Sequence, residues 1–147
     1  MFLIPFLMVG CGQAGGLKDY DNRELAKELK EEGVHPKLPT KFPVKIAKYE
    51  RIIPPHDSRI YETIFTGEND EVFSLIINPG QAEYHGDFER ENVTVCGNSG
   101  FYMNSELPGP SLHWFDGDYS YILEYQTLFS DTEVTKEIMM KIAEFFQ

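Results

Sequence analysis

Hydrophobic and polar positions change their period several times along this chain. Phe2 to Val9 form an almost unbroken apolar run that ends at Gly10-Cys11 and gives way to the small residues Gly12-Gln13-Ala14-Gly15-Gly16. A sparse helical pattern follows, with Leu25, Ala26 and Leu29 among charged neighbours. It opens on the capping-box spacing Asp21-Asn22-Arg23-Glu24 and closes at Gly33. So few apolar positions predict a helix that lies on the surface and acts partly as a spacer. Pro36, Pro39 and Pro43 then exclude regular helix, and the segment 35–43 reads as an extended lead-in that docks Leu38 and Phe42.

From Val44 the alternation becomes strand-like. Val44 to Ile53, Arg59 to Thr66 and Glu71 to Ile77 read as a meander, separated by Pro54-Pro55-His56-Asp57 and by the turn Gly67-Glu68-Asn69-Asp70. The third of these places Phe73, Leu75 and Ile77 on one face and Val72 and Ile76 on the other, so both faces of the sheet need cover or leave a groove. Gln81 to Glu91 is polar and reads as a long loop or irregular strand. Strands resume at Asn92 to Cys96 and, after a turn at Gly97-Asn98-Ser99-Gly100, at Phe101 to Met103. The clearest hairpin is Ser111 to Phe115, Asp116-Gly117-Asp118 and Tyr119 to Gln126, with Tyr119, Tyr121, Leu123 and Tyr125 on one face and Trp114 on the facing strand.

A final helix is predicted from a second capping box, Ser130-Asp131-Thr132-Glu133, with Val134, Ile138, Ile142 and Phe145 on one stripe. These elements make an α+β fold: a curved antiparallel β-sheet of about six or seven strands, a C-terminal helix packed on one face and a short N-terminal helix. With 147 residues, 41% hydrophobic and 14% aromatic, the chain has material for one cored domain, placed at residues 21–147 behind a flexible tether at 11–20.

Charge changes the picture. Residues 1–60 hold 10 Lys/Arg against 8 Asp/Glu, whereas residues 61–147 hold 3 against 16, a formal −13 for the second part. Such a surface repels nucleic-acid phosphates and gains nothing from anionic headgroups, so no nucleic-acid partner is expected.

The opening run is too short to span a bilayer as a helix, which takes roughly 20 apolar residues. Its end, Leu7-Met8-Val9-Gly10-Cys11, resembles the lipobox of a bacterial lipoprotein signal: an apolar approach, a small residue before the cleaved bond, and the cysteine. The resemblance implies a signal peptide at residues 1–10 and a diacylglycerol thioether on Cys11. Two acyl chains, at ~0.8 kcal/mol per buried CH₂, hold a protein stably at the membrane where one does not. No Lys or Arg precedes the run, although export signals open on positive charge, which fits a natural start upstream of Met1. The rival fate of Cys11 is a disulfide with Cys96, closing a loop of more than 80 residues from a glycine-rich tail. The sequence favours lipid on Cys11 and a buried, unpaired Cys96.

The motifs "LPTKFP", "VTVCGNSGFYM", "LHWFDGDYSYIL" and "SDTEVTKEIMMKIAEFF", spread over residues 38–147, together resemble the domain of unknown function 4367, found in exported or membrane-anchored proteins of Bacillus-like bacteria. The resemblance implies an extracytoplasmic sheet-and-helix domain and assigns no catalytic residue.

Candidate chemistry is sparse. His35, His56, His85 and His113 show no helical metal-binding spacing; His85 with Asp87 and His113 with Asp116 could each give two ligands, and two do not make a site. Asp116/Asp118 and Asn69-Asp70-Glu71 are explained by turn chemistry without calcium. Trp114, Tyr119, Tyr121 and Tyr125 suit a covered core better than a ligand platform. No cofactor, metal or enzymatic activity is expected. The reading is a lipid-anchored extracytoplasmic domain at the cell membrane that binds an apolar ligand or a protein. The alternative is an envelope sensor or regulatory module whose acidic half makes protein contacts. An apolar carrier needs an aromatic-lined groove of roughly 300 Å³ or more.

Overall fold

In the computed structural model, which describes residues 16–53, 59–84, 86 and 89–147, the chain builds one seven-stranded antiparallel sheet, a two-stranded ribbon and two helices. The elements in chain order are β1 (Lys18–Asp19), α1 (Arg23–Glu31), β2 (Lys41–Phe42), β3 (Ile46–Ile52), β4 (Tyr61–Gly67), β5 (Val72–Pro79), β6 (Glu91–Val95), β7 (Asn98–Met103), β8 (Ser111–Phe115), β9 (Tyr119–Gln126) and α2 (Lys136–Glu144). The large sheet is ordered β3-β4-β5-β9-β8-β7-β6, and β1 pairs with β2 apart from it. The α+β class expected from the periodicity is therefore present, with the sheet open at β3 and β6.

Register divides the sheet into two unlike faces. Phe65, Phe73 and Tyr125 are cross-strand partners in one row, Thr63, Leu75, Leu123 and Leu112 in the next, and Ile77, Tyr121 and Trp114 in a third. These side chains are buried with Leu25, Leu29, Leu38, Phe42, Met139, Ile142 and Ala143 from the helices and the lead-in, forming a single core. Rings continue through it: Tyr20 meets Phe42 and Phe65 edge-on at 5.4 and 5.3 Å, and Trp114 stacks on Tyr121 at 5.1 Å. Aromatic pairs at such spacings stabilise beyond their buried area.

The tyrosines of β9 explain why this face is polar at its rim yet solid. Tyr119 Oη accepts from His35 N (2.9 Å) and Tyr121 Oη from Lys37 N (3.0 Å), while Tyr121 Oη donates to Asp116 Oδ2 (2.9 Å) and Tyr125 Oη to Thr132 O (2.8 Å). The hydroxyls thus fasten the lead-in and the segment before α2 over the sheet. Buried rings need such partners. Leu38 and Gln147 exchange backbone bonds of 3.0 and 2.8 Å, closing the same layer.

Several expected boundaries shift, each for a local reason. The N-terminal helix caps at Asn22, one residue later than Asp21, because Asp21 turns to Arg23, accepting from its N at 3.1 Å and pairing with its guanidinium at 2.6 Å. Leu25 and Leu29 are fully buried, so this helix belongs to the core and is no spacer. Lys18, Asp19 and Tyr20, assigned to the tether, are part of the fold through β1 and the Tyr20 ring contacts. At the other end, α2 begins after Thr135, whose Oγ1 accepts from Ile138 N at 3.3 Å. Ser130 instead bonds within its own turn to Thr132 N at 3.1 Å, so the expected capping box lies outside the helix. The buried stripe of α2 is accordingly Met139, Ile142 and Ala143, with Ile138 half-buried.

The hairpin joining β6 to β7 also turns earlier than expected. Cys96 and Gly97 have φ of 48° and 82°, the pair of left-handed residues that a two-residue loop requires, and Asn98 to Gly100 are already strand.

Candidate functional site

The second face of the sheet carries a different set of side chains. Glu62, Ile64, Ser74, Ile76, Glu124, Ile122, Ser111, His113, Phe101 and Asn92 alternate with the core residues along β4, β5, β9, β8, β7 and β6. Among the described residues no helix covers them. The connection from β5 to β6, described at residues 80–84, 86, 89 and 90, instead starts at the middle of the sheet and ends at its β6 edge. Ala82 N donates to Ser120 Oγ at 2.8 Å, Ser120 Oγ donates to Gly80 O at 2.6 Å, and Tyr84 packs edge-on against Phe101 at 5.0 Å and His113 at 5.4 Å.

Beneath this connection lies a recess of about 210 Å³. Phe101 and His113 stack at 4.4 Å with planes 13° apart and supply an aromatic floor; Arg90 lies over Phe101 at 5.1 Å. Gln81, Tyr84, Asn92, Ser99 and Ser120 add hydrogen-bonding groups around it. Gly100 is required here by close approach: a Cβ on it would sit 2.3 Å from His113 O.

His113 is the centre of the site. Its Nε2 is 2.9 Å from Ser111 Oγ and its Nδ1 is 3.1 Å from Tyr84 Oη. Burial lowers its pKa from 6.5 to about 4, and burial likewise raises that of the Tyr84 phenol. A neutral imidazole can accept one of these bonds and donate the other. Beyond Ser111, its cross-strand partner Glu124 has a raised pKa through burial and holds Gln126 Nε2 at 2.6 Å.

Ser111, His113 and Tyr84 superficially match a nucleophile, a base and its orienting group. Three features set the cluster apart from a charge-relay triad. Ser111 is itself buried, an imidazole with a pKa near 4 is a weak base at neutral pH, and the group on Nδ1 is the phenol of Tyr84, which carries no charge to stabilise an imidazolium. The cluster is better suited to holding a rigid, neutral, hydrogen-bonding floor.

Other sequence candidates fare differently. His113 and Asp116 are not brought together: His113 faces the recess, whereas Asp116 caps its own turn, accepting from Asp118 N (2.9 Å) and Tyr119 N (2.8 Å), and reaches Tyr121 on the core face. Glu71 is buried and accepts from Asn69 N at 2.9 Å, as turn chemistry predicts. His35 is exposed and donates its backbone N–H to Tyr119; His56, His85, Asp87 and Cys11 lie outside the described residues. Among the described residues no group of three or more His, Cys, Asp and Glu is placed to hold a metal ion. Nor is any described helix long and apolar enough to cross a membrane.

Cys96 corrects the sequence reading outright. It is exposed at the hairpin tip rather than buried in a strand, and its sulfur is in a disulfide rather than unpaired. The chain's other cysteine is Cys11.

Trp114, Tyr121 and Tyr125 are core residues, as the strand alternation favours over a ligand platform: Tyr121 and Tyr125 are 1% exposed and Trp114 6% beneath the helices and lead-in. The recess was missed from sequence: its floor joins Phe101 and His113 of neighbouring strands to Tyr84 in a loop with no regular period. The one available signal was strand alternation, which puts Phe101 and His113 opposite the core-facing Tyr102, Leu112 and Trp114. Comparison of the chain with family models, curated proteins and solved structures finds no match. The resemblance to the domain of unknown function 4367 thus rests on the quoted motifs alone.

Proposed function

We propose that this protein is an exported, non-enzymatic binding module, with the recess at Tyr84, Phe101 and His113 as its ligand site, and that a lipid on Cys11 holds it at the outer face of the cell membrane in the state where Cys11 is not bridged to Cys96. The observation that carries the binding assignment is the recess itself, with a stacked aromatic floor and a ring of hydrogen-bonding side chains on the face that no described helix covers. At about 210 Å³ it falls below the usual range of drug-sized sites, which begins at ~300 Å³. It suits a small molecule of monosaccharide size that offers hydroxyl or amide groups to Gln81 and Asn92. The filled core favours such a ligand over an apolar cargo.

Export is supported from two sides. The lipobox-like stretch is an export signal by its pattern, and the oxidised Cys96 belongs to a disulfide-permissive compartment. The sulfur of Cys11 can carry lipid or join Cys96, and both states belong outside the cytoplasm. Intact mass of the protein extracted from membranes decides between them: the anchor predicts cleavage before Cys11 and the added mass of a diacylglycerol, and Cys11→Ser should release the domain. A chain lighter by two hydrogens, or C11S protein still in the membrane fraction, removes the anchor from the reading. For the recess, side-chain resonances of His113 and Tyr84 should move on titration with a panel of monosaccharides and amino-acid amides. If none of the panel moves them, the ligand assignment fails.

A further inference from the structure

At the end of the sheet near the β4–β5 turn, two loops carry exposed apolar side chains. Leu107 is 64% exposed, Leu128 70% and Phe129 58%. Thr127 holds the loops side by side, its N donating to Pro108 O at 2.9 Å and its Oγ1 to Glu106 O at 2.9 Å. Soluble proteins expose single apolar side chains freely, but three large ones on two tied loops form a patch that asks for an occupant.

The charges around the patch choose between occupants. Between Arg90 and Lys136 the chain contains no Lys or Arg, and Glu106, Asp131 and Glu133, all exposed, flank the three apolar residues in sequence. Loops that insert into a bilayer need Lys or Arg to meet anionic headgroups, and these carry carboxylates instead. Glu133 also lines an open groove of about 550 Å³ running along the start of α2, whose charged lining is Glu89, Glu91 and Glu133 against Arg90 and Lys136; Lys136 is already bound to Glu91 at 2.5 Å and Arg90 lies over the Phe101 ring, which leaves a carboxylate in excess.

We infer that the Leu107, Leu128 and Phe129 loops and the adjoining groove dock a protein segment whose apolar side chains are flanked by Lys or Arg. Apolar anchors set the affinity of such a contact, and the opposed charges set its register and the rate of encounter. The surface shares only Arg90 with the recess, so it can be occupied independently of a small ligand.

The test immobilises the full-length chain for surface plasmon resonance and passes over it a short amphipathic Leu/Lys peptide, its Leu/Glu and Ser/Lys counterparts, and phosphatidylcholine vesicles. The Leu/Lys peptide should bind in a salt-dependent way, and the other probes at least about tenfold more weakly, ~1.4 kcal/mol. The double variant Leu128→Ser/Phe129→Ser, whose residues are exposed and whose loss should leave the melting temperature unchanged, should weaken the peptide by a similar factor. Glu106→Gln/Glu133→Gln should weaken it and flatten the salt dependence. The inference is overturned if L128S/F129S binds the Leu/Lys peptide undiminished, if the Leu/Glu peptide binds equally well, or if the vesicles bind through Leu128 and Phe129 in preference to the peptide.

Discussion

Protonating His113 should destabilise the fold over a defined pH window. In the folded chain the imidazole titrates at about 4, against 6.5 when unfolded, because burial penalises the cation. Above pH 6.5 neither state is protonated at this position and His113 contributes no pH dependence. Between 6.5 and 4 the unfolded chain binds a proton that the folded chain does not, so stability falls as pH falls, by up to ~1.4 kcal/mol per pH unit. Below 4 both states are protonated and the slope ends. The full shift corresponds to roughly 3 kcal/mol, and since the ring borders the recess and water offsets part of its desolvation, we expect about 2 kcal/mol. Urea denaturation of the wild type and of His113→Gln at pH 7.5, 6, 5 and 4.5 reads the effect as the difference between two curves, which cancels the other titrating groups. The wild type should lose about 2 kcal/mol more than H113Q across the series. Parallel curves, or a His113 imidazole resonance that titrates near 6.5 in the folded protein, would refute the account of a neutral, desolvated floor.

Two further substitutions test how the covered face is held. Tyr121→Phe keeps the ring in the core but removes the donor to Asp116 and the acceptor for Lys37 N, and should cost about 1–2 kcal/mol in chemical denaturation with increased hydrogen exchange at Lys37. Leu25→Ala should cost ~2–5 kcal/mol if α1 is part of the core, whereas a spacer helix would tolerate it nearly without loss.

The strands were the most legible part of the chain because their evidence is local. The hairpin of β8 and β9 has the boundaries its alternation predicts, Ser111 to Phe115 and Tyr119 to Gln126, since one face is buried and a slip of one residue would expose Tyr121, Leu123 and Tyr125 together. Helix starts were less legible because several residues compete for each cap. Asp21 lost its place to an arginine two residues away, and Ser130 to a turn of its own. The depth of α1 was hidden for another reason. Two leucines four apart are too few to mark a core helix by pattern, yet both are fully buried because the lead-in and sheet close around them.

The recess was least legible because it depends on a crossing that topology alone creates. β5 is followed in sequence by β6 but lies four places from it in the sheet, with β9, β8 and β7 between, and Gly80, Ala82 and Tyr84 leave β5 over the face opposite the helices. A direct β5–β6 hairpin, the default for consecutive antiparallel strands, would have left that face bare. The insertion of β9 beside β5 is what sets His113 and Phe101 under the connection, and it is favoured by the row of partners that β9 offers β5: Tyr125 for Phe73, Leu123 for Leu75 and Tyr121 for Ile77. The same choice of neighbours therefore makes both surfaces. Packing the tyrosines of β9 against β5 fills the covered face, and the detour it imposes on the chain shapes the recess on the other. The recess on this fold is thus a consequence of its core, and its floor, His113, should remain in place under any surface substitution that leaves the β5–β9 row intact.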